Sequence, residues 1–172
     1  MTTETLDINP VLSATEEAIS ELTELMKGVQ ENKVNTIPYK GSWTAPQLLR
    51  HVTKSLHGMA GALGMEAKQA PRDPSVRVEQ LKIIMQDSSN KLTPPDFIVP
   101  EEMIYEKNAS IQALNSSFID FKKIAESAKL NDLIEGFPLG PITKFEIIHF
   151  VLYHTQRHLQ QMKRICEALE EL

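Results

Sequence analysis

Four stretches of this chain repeat apolar residues every three or four positions, and none of it alternates apolar with polar residues as a half-buried strand does. The first runs from Ser13 to Gln30, with Ile19, Leu22, Leu25, Met26 and Val29 on one face. The second starts at Thr44 and ends near Met65, with Leu48, Val52, Ser55, Met59 and Leu63 inward. The third spans about Glu101 to Lys129, marked by Ile104, Ile111, Leu114, Phe118, Phe121 and Ala125. The fourth begins near Pro141 and continues to the end. Three of these stretches open on capping-box patterns: Ser13-Ala14-Thr15-Glu16, Thr44-Ala45-Pro46-Gln47 and Thr143-Lys144-Phe145-Glu146. Four long amphipathic helices bury their stripes against one another, which predicts an all-α four-helix bundle. A chain of 172 residues suits one domain with one core, so residues 1–172 are read as a single unit.

The connections are unequal. Residues 67–100 form a long excursion between the second and third helices, broken by Pro71, Pro74, Pro94, Pro95 and Pro100. Val78, Leu81, Ile84 and Met85 predict a short helix from about Ser75 to Gln86 within it. Phe97, Ile98 and Val99 are apolar enough to be buried. The loop from Leu130 to Gly140 is short, which favours antiparallel packing of the third and fourth helices against each other.

Composition removes several function classes. A formal charge of −5 and a pI near 5.6 oppose unspecific nucleic-acid binding and docking on anionic lipid. Cys166 is the single cysteine, so no internal disulfide forms and a reducing, cytoplasmic setting is expected. Residues 1–7 lack the basic and apolar regions of a secretory leader. No uninterrupted apolar run reaches the length of a membrane span.

The chemistry concentrates in the fourth helix. Its apolar stripe is Ile147, Val151, His154, His158, Met162, Ile165 and Leu169, which falls within an arc of about 80° at 3.6 residues per turn. His154 and His158 are four apart, so their Cβ atoms lie roughly 5–6 Å from each other. Both rings point inward, where an unpartnered polar group is costly. A metal ion is one way to satisfy them; a pair of core histidines bonded to carbonyls is the other. Two ligands hold a metal weakly, and His51, two turns into the second helix, is the best third. Its row, His51, Ser55, Gly58 and Ala62, is made of small residues that leave room for a site.

Other candidates are weaker. Thr155 stands where a helical zinc protease places its general-base Glu, which argues against that chemistry. Glu146-Ile147-Ile148-His149 matches half of a di-iron unit, but no second unit exists and His149 lies off the stripe. His57 projects away from the His51 face and is read as a surface residue. Trp43, just before the second helix, is read as packing rather than as a pocket wall. Cys166 lies off the stripe, which gives a nucleophilic role little support. Gln161, one turn beyond His158, is placed to orient that ring, and Arg157 neighbours both ligands; a solvated rim is the bland alternative for each.

Two segments together resemble a known family. Gly41-Ser42-Trp43-Thr44-Ala45-Pro46-Gln47-Leu48-Leu49-Arg50-His51-Val52 is similar to the opening of the second helix in DinB-like four-helix bundle proteins. Gly140-Pro141-Ile142-Thr143, followed by His154-Thr155-Gln156-Arg157-His158-Leu159, resembles their fourth helix. The resemblance implies a divalent metal, zinc, nickel, iron or manganese, held by His51, His154 and His158, and frequent homodimers. Relatives include metal-dependent S-transferases that use small-molecule thiols and a mycothiol-dependent isomerase. Many relatives carry Glu where this chain has Gln47, so a carboxylate that could stand beside the ligands is missing here.

The expected function is a metal-dependent enzyme that activates a thiol or water and transfers sulfur to, or hydrolyses, a small molecule. Its partners would be that substrate, with a low-molecular-weight thiol as one candidate, and a second copy of itself, with no nucleic acid and no membrane. The competing expectation is a non-catalytic small-molecule or protein-binding bundle in which the histidines are only a polar layer.

Overall fold

The computed structural model describes residues 5–172, so the leader reading for residues 1–7 lies partly outside it. Its long helices are α1 (Asn9–Gly28), α2 (Ala45–Gly64), α4 (Lys107–Ser127) and α5 (Lys144–Glu170), with a short α3 (Val78–Gln86) in the excursion. These form the expected four-helix bundle. Helix α2 packs on α4 and α5, and α1 packs on α5 and α4, while α3 lies against the outside of α5. The apolar stripes meet in one core. Leu22, Met26, Leu48, Leu114, Phe121, Ile147 and Met162 are all fully buried in it. Each large aliphatic or aromatic side chain among them contributes roughly 1.5–3 kcal/mol relative to exposure.

Two of the three capping boxes form as expected. Thr44 accepts from the Gln47 amide while the Gln47 side chain accepts from the Thr44 amide, and Thr143 with Glu146 does the same. The box expected at Ser13 does not form. Helix α1 starts four residues earlier, at Asn9, because Pro10 fits the first turn and the Asp7 carboxylate takes the Asn9 amide. Thr15 instead bonds back to the Val11 carbonyl inside the helix.

Three further expectations are corrected. Helix α4 begins at Lys107 rather than near Glu101, since the Glu106 carboxylate caps it by accepting from the Asn108 and Ala109 amides. Ile104, counted on its core face, is 81% exposed. Phe97 and Val99 are not buried, and Phe97 is 64% exposed on the outside of α2. Helices α4 and α5 are not packed neighbours; α5 lies on α1, α2 and α3.

The last correction has a structural cause in short strands that carry no sequence alternation. Strands β1 (Lys68–Gln69), β2 (Asp132–Ile134) and β3 (Ile142–Thr143) form an antiparallel sheet in that order. Leu133 pairs with both Lys68 and Thr143, so the start of the excursion and the α4–α5 loop are sewn together. Two- and three-residue strands are too short for a period to register. No helix among the described residues is long and apolar enough to cross a membrane.

Candidate metal centre

His51 enters the core because it follows Leu48 by three positions on the buried face of α2 and precedes Ser55 by four. It is 2% exposed. His158 is 8% exposed, and His154, one turn earlier on α5, is half-buried. The bundle brings the three rings to one point. The Nε2 atom of His51 lies 3.0 Å from Nε2 of His158 and 3.3 Å from Nε2 of His154, and the remaining pair is 3.1 Å apart.

These contacts are not ordinary hydrogen bonds. His51 Nδ1 is 2.9 Å from the Ile98 carbonyl oxygen, which only accepts, so Nδ1 carries the proton. His158 Nδ1 is 2.9 Å from Gln161 Oε1 and carries its proton for the same reason. In a neutral imidazole the other nitrogen is then a bare lone pair. Two lone pairs therefore face each other at 3.0 Å, with His154 able to donate one proton between them at most. A cation at the centre removes that repulsion. Two nitrogens about 2.0–2.1 Å from one zinc ion stand about 2.9 Å apart at a right angle and about 3.3 Å apart at the tetrahedral angle. The observed separations fit that range, and among the described residues these three side chains form the one cluster able to hold a metal ion.

The electrostatics agree with neutral ligands. Burial lowers the His51 pKa, against the opposing effect of the Ile98 carbonyl. His158 is pushed down to about 3, first by burial and then by the nearness of His51, with Gln161 opposing. His154 is held well below the usual histidine range by desolvation, then by His158, His51 and Arg157. The three imidazoles are thus unprotonated at neutral pH, the form a metal requires.

Aromatic rings flank the cluster. Trp43 lies 4.9 Å from the His51 ring, centroid to centroid, and Phe150 stacks on His154 at 5.4 Å. Trp43 is half-buried against the core, so its packing role holds while one face is spent on a cluster histidine. Gln47 is turned to the start of α2 by its cap bond. Thr155 is buried and bonded to the Val151 carbonyl. His149 bonds the Phe145 carbonyl beside its own helix, and Cys166 is half-buried with its thiol pKa raised by burial and by Glu170 and Glu167. His57 is exposed and lines a separate groove of about 760 Å³ between α2 and α4.

Two polar anchors went unread in the sequence. Glu146 is 0% exposed and accepts four bonds: two from the Arg72 guanidinium at 2.8 Å each, one from the Arg77 amide at 2.8 Å and one from the Thr143 amide at 2.9 Å. Burial alone would raise its pKa, but these donors outweigh it and the net shift is downward. The available signal was the capping-box Glu itself, since the box occupies only part of its acceptor capacity. Arg157 is no rim residue. It donates to the Met85, Asp87 and Asn90 carbonyls and so caps the C-terminal end of α3.

Fold and cluster together define a four-helix bundle protein with three histidines gathered where they could hold a metal ion. The chain belongs to the DinB superfamily, whose profile matches residues 14–162. It is 26% identical over 163 residues to YuaE, an uncharacterized protein of Bacillus subtilis (strain 168), covering 92% of this chain and 99% of that one. Two solved structures share its fold. A conserved protein from Enterococcus faecalis superposes with a TM-score of 0.68 at 15% identity, over 96% of this chain and 98% of its own. YfiT from Bacillus subtilis gives 0.62 at 12% identity, over 97% and 89%; it is described as a probable metal-dependent hydrolase with an unusual four-helix bundle topology.

Proposed function

We propose that this protein is a metal-dependent enzyme acting on a small molecule, with His51, His154 and His158 as the ligands of one divalent ion. Zinc, nickel, iron and manganese all accept imidazole, and affinity order does not choose among them. The observation that carries the reading is the meeting of three Nε2 atoms at one point, with the lone pairs of His51 and His158 facing each other 3.0 Å apart, an arrangement that a cation at the centre relieves. The description of YfiT as a probable metal-dependent hydrolase supports it.

A divalent ion held by His51, His154 and His158 would lower the pKa of a thiol or water bound to it, which is the chemistry that S-transfer to, or hydrolysis of, an electrophilic small molecule requires. The chain's own residues prepare that site. The Ile98 carbonyl and Gln161 fix the tautomers of His51 and His158. Trp43 and Phe150 shield two of the rings, which strengthens electrostatic interactions nearby. The protein acts in the cytoplasm and as a homodimer.

The test is the metal content of protein produced in metal-replete medium, compared with His51→Ala, His154→Ala and His158→Ala. About one ion per chain in the parent and loss in each variant is the expected result. A metal-free parent removes the basis of the enzyme reading. A second reading, a non-catalytic bundle, draws on Gln47. Its side chain is spent on the helix cap, and among the described residues no carboxylate belongs to the histidine cluster to serve as general base. Metal binding without turnover on thiol and ester panels would favour it.

A further inference from the structure

Residues 98–101 cross the outer surface of α2 as a strap with no helix or strand of their own beyond the short 3-10 turn Asp96–Ile98. Three residues within one turn and a half of α2 hold it. His51 donates to the Ile98 carbonyl at 2.9 Å, and Lys54 donates to the Val99 carbonyl at 2.9 Å. Arg50 grips the Glu101 carboxylate through Nε at 2.9 Å and Nη2 at 3.1 Å, and Lys54 Nζ reaches the same carboxylate at 2.7 Å. Pro100, between these contacts, is buried. On its far side the strap is fastened again. The Tyr105 hydroxyl donates to the Glu101 carbonyl at 2.7 Å, and Asn35 brackets the Tyr105 backbone with two bonds of 2.8 Å.

The cluster histidine is therefore sandwiched in sequence between two cations that clamp the very segment whose carbonyl sets its tautomer. A histidine ligand needs its second nitrogen held by an acceptor, because that bond points the ring and keeps the ligating lone pair free. The acceptor here is a backbone carbonyl in an irregular segment. Its position depends on whatever anchors that segment, and the Glu101 carboxylate takes three contacts from α2, two from Arg50 and one from Lys54.

We propose that Glu101 is a positioning residue for the metal centre. It acts through the strap and the Ile98 carbonyl on His51, and metal binding in turn fastens the strap. This rests on the reading of the three histidines as a metal site. The coupling is reciprocal by thermodynamic necessity: if the anchored strap favours metal, bound metal favours the anchored strap by the same factor.

The experiment uses the full-length protein and zinc alone as the probe. Zinc affinity is measured by competition with a chromophoric chelator for the parent, Glu101→Gln, Lys54→Met and, as a control, Glu24→Gln, which breaks a more exposed ion pair with Lys27 far along α1. Mutations that release a ligand's supporting partner cost about 10–100-fold in metal affinity, so an anchor one step removed is expected to cost about 3–10-fold. Amide exchange across residues 97–102 should slow when zinc is added to the parent, and slow much less in Glu101→Gln. Long-range ¹H–¹⁵N spectra of the metal-free protein should show His51 as the single Nδ1–H tautomer in the parent and as a mixture in the variant. A purely structural role for Glu101 would lower the melting temperature and move neither the zinc affinity nor the tautomer. Unchanged zinc affinity in both Glu101→Gln and Lys54→Met, with the parent binding normally, overturns the strap alone. A parent that binds no zinc overturns the metal site and the strap with it.

Discussion

The Nε2 atoms of His51 and His158 face each other at 3.0 Å while each ring spends its Nδ1 proton on an acceptor outside the cluster. The bundle thus brings two lone pairs to one point. The energy for this comes from the apolar packing of α2 and α5, and it is returned when a cation is bound. Metal addition should therefore stabilise the fold. At a free concentration a hundred times the dissociation constant the gain is about 2.7 kcal/mol. For a chain of 172 residues that is a rise of about 5–10 °C in Tm. Differential scanning calorimetry with zinc and then with excess chelator measures it; His158→Ala should show no rise at all.

Acid should weaken the metal-free protein from an unusually high pH. The folded-state pKa values of His51, His154 and His158 all lie below the ordinary 6.5. Above that value the rings are neutral in both folded and unfolded chains and contribute no pH dependence. Below it the unfolded chain takes up protons that the folded one refuses, so stability falls as pH falls, until the folded values are reached, about 3 for His158. Each ring contributes up to about 1.4 kcal/mol per pH unit in that window. His149, also held low by burial, acts in the same sense. Urea midpoints taken between about pH 7.5 and pH 5 check this.

Gln161 offers a way to tune the cluster without touching a ligand. Its Oε1 atom takes the His158 Nδ1 proton at 2.9 Å. Gln161→Ala should weaken metal binding about 10-fold, within the usual range for loss of such a partner. Gln161→Glu should strengthen it, because a carboxylate acceptor makes the imidazole a better donor to metal. Chelator competition reads both. Equal affinities across the three proteins would show that the ring is oriented by packing alone.

Glu146 should prove the main polar anchor of the excursion. Glu146→Gln removes the charge facing Arg72 and puts an amide N–H₂ against donors. Removing one partner of a buried pair costs about 3–5 kcal/mol, reduced here because Arg72 is partly in solvent, so about 2–4 kcal/mol is expected from denaturant unfolding. The carboxyl pKa is lowered in the fold, so its contribution is complete above the unfolded value near 4.5 and is lost as pH falls through the folded one. In the variant that low-pH limb should be absent.

Arg157 ties α3 to the helix that carries two of the cluster histidines. Arg157→Met leaves the Met85, Asp87 and Asn90 carbonyls without their donor. Hydrogen exchange at residues 83–90 should speed up by about 10-fold, corresponding to a loss of about 1.4 kcal/mol in local opening. Exchange in α1 should not change, since α1 packs on α5 and α4 rather than on α3.

Much of this architecture was legible residue by residue. The period of three and four puts His154 and His158 on the same inward stripe as Ile147, Met162 and Ile165, and Thr44 and Thr143 announce their helices by the Gln or Glu three places on. Those are properties of consecutive residues, so a one-dimensional string contains them. Only the tertiary structure decided that His51 meets the other two rings, that α5 packs beside α2 rather than α4, and that Ile98, Met85 and Asn90 supply the acceptors. A backbone carbonyl is the same group in every residue. Which one lies beside a given side chain is settled when irregular segments dock, and no residue identity encodes it.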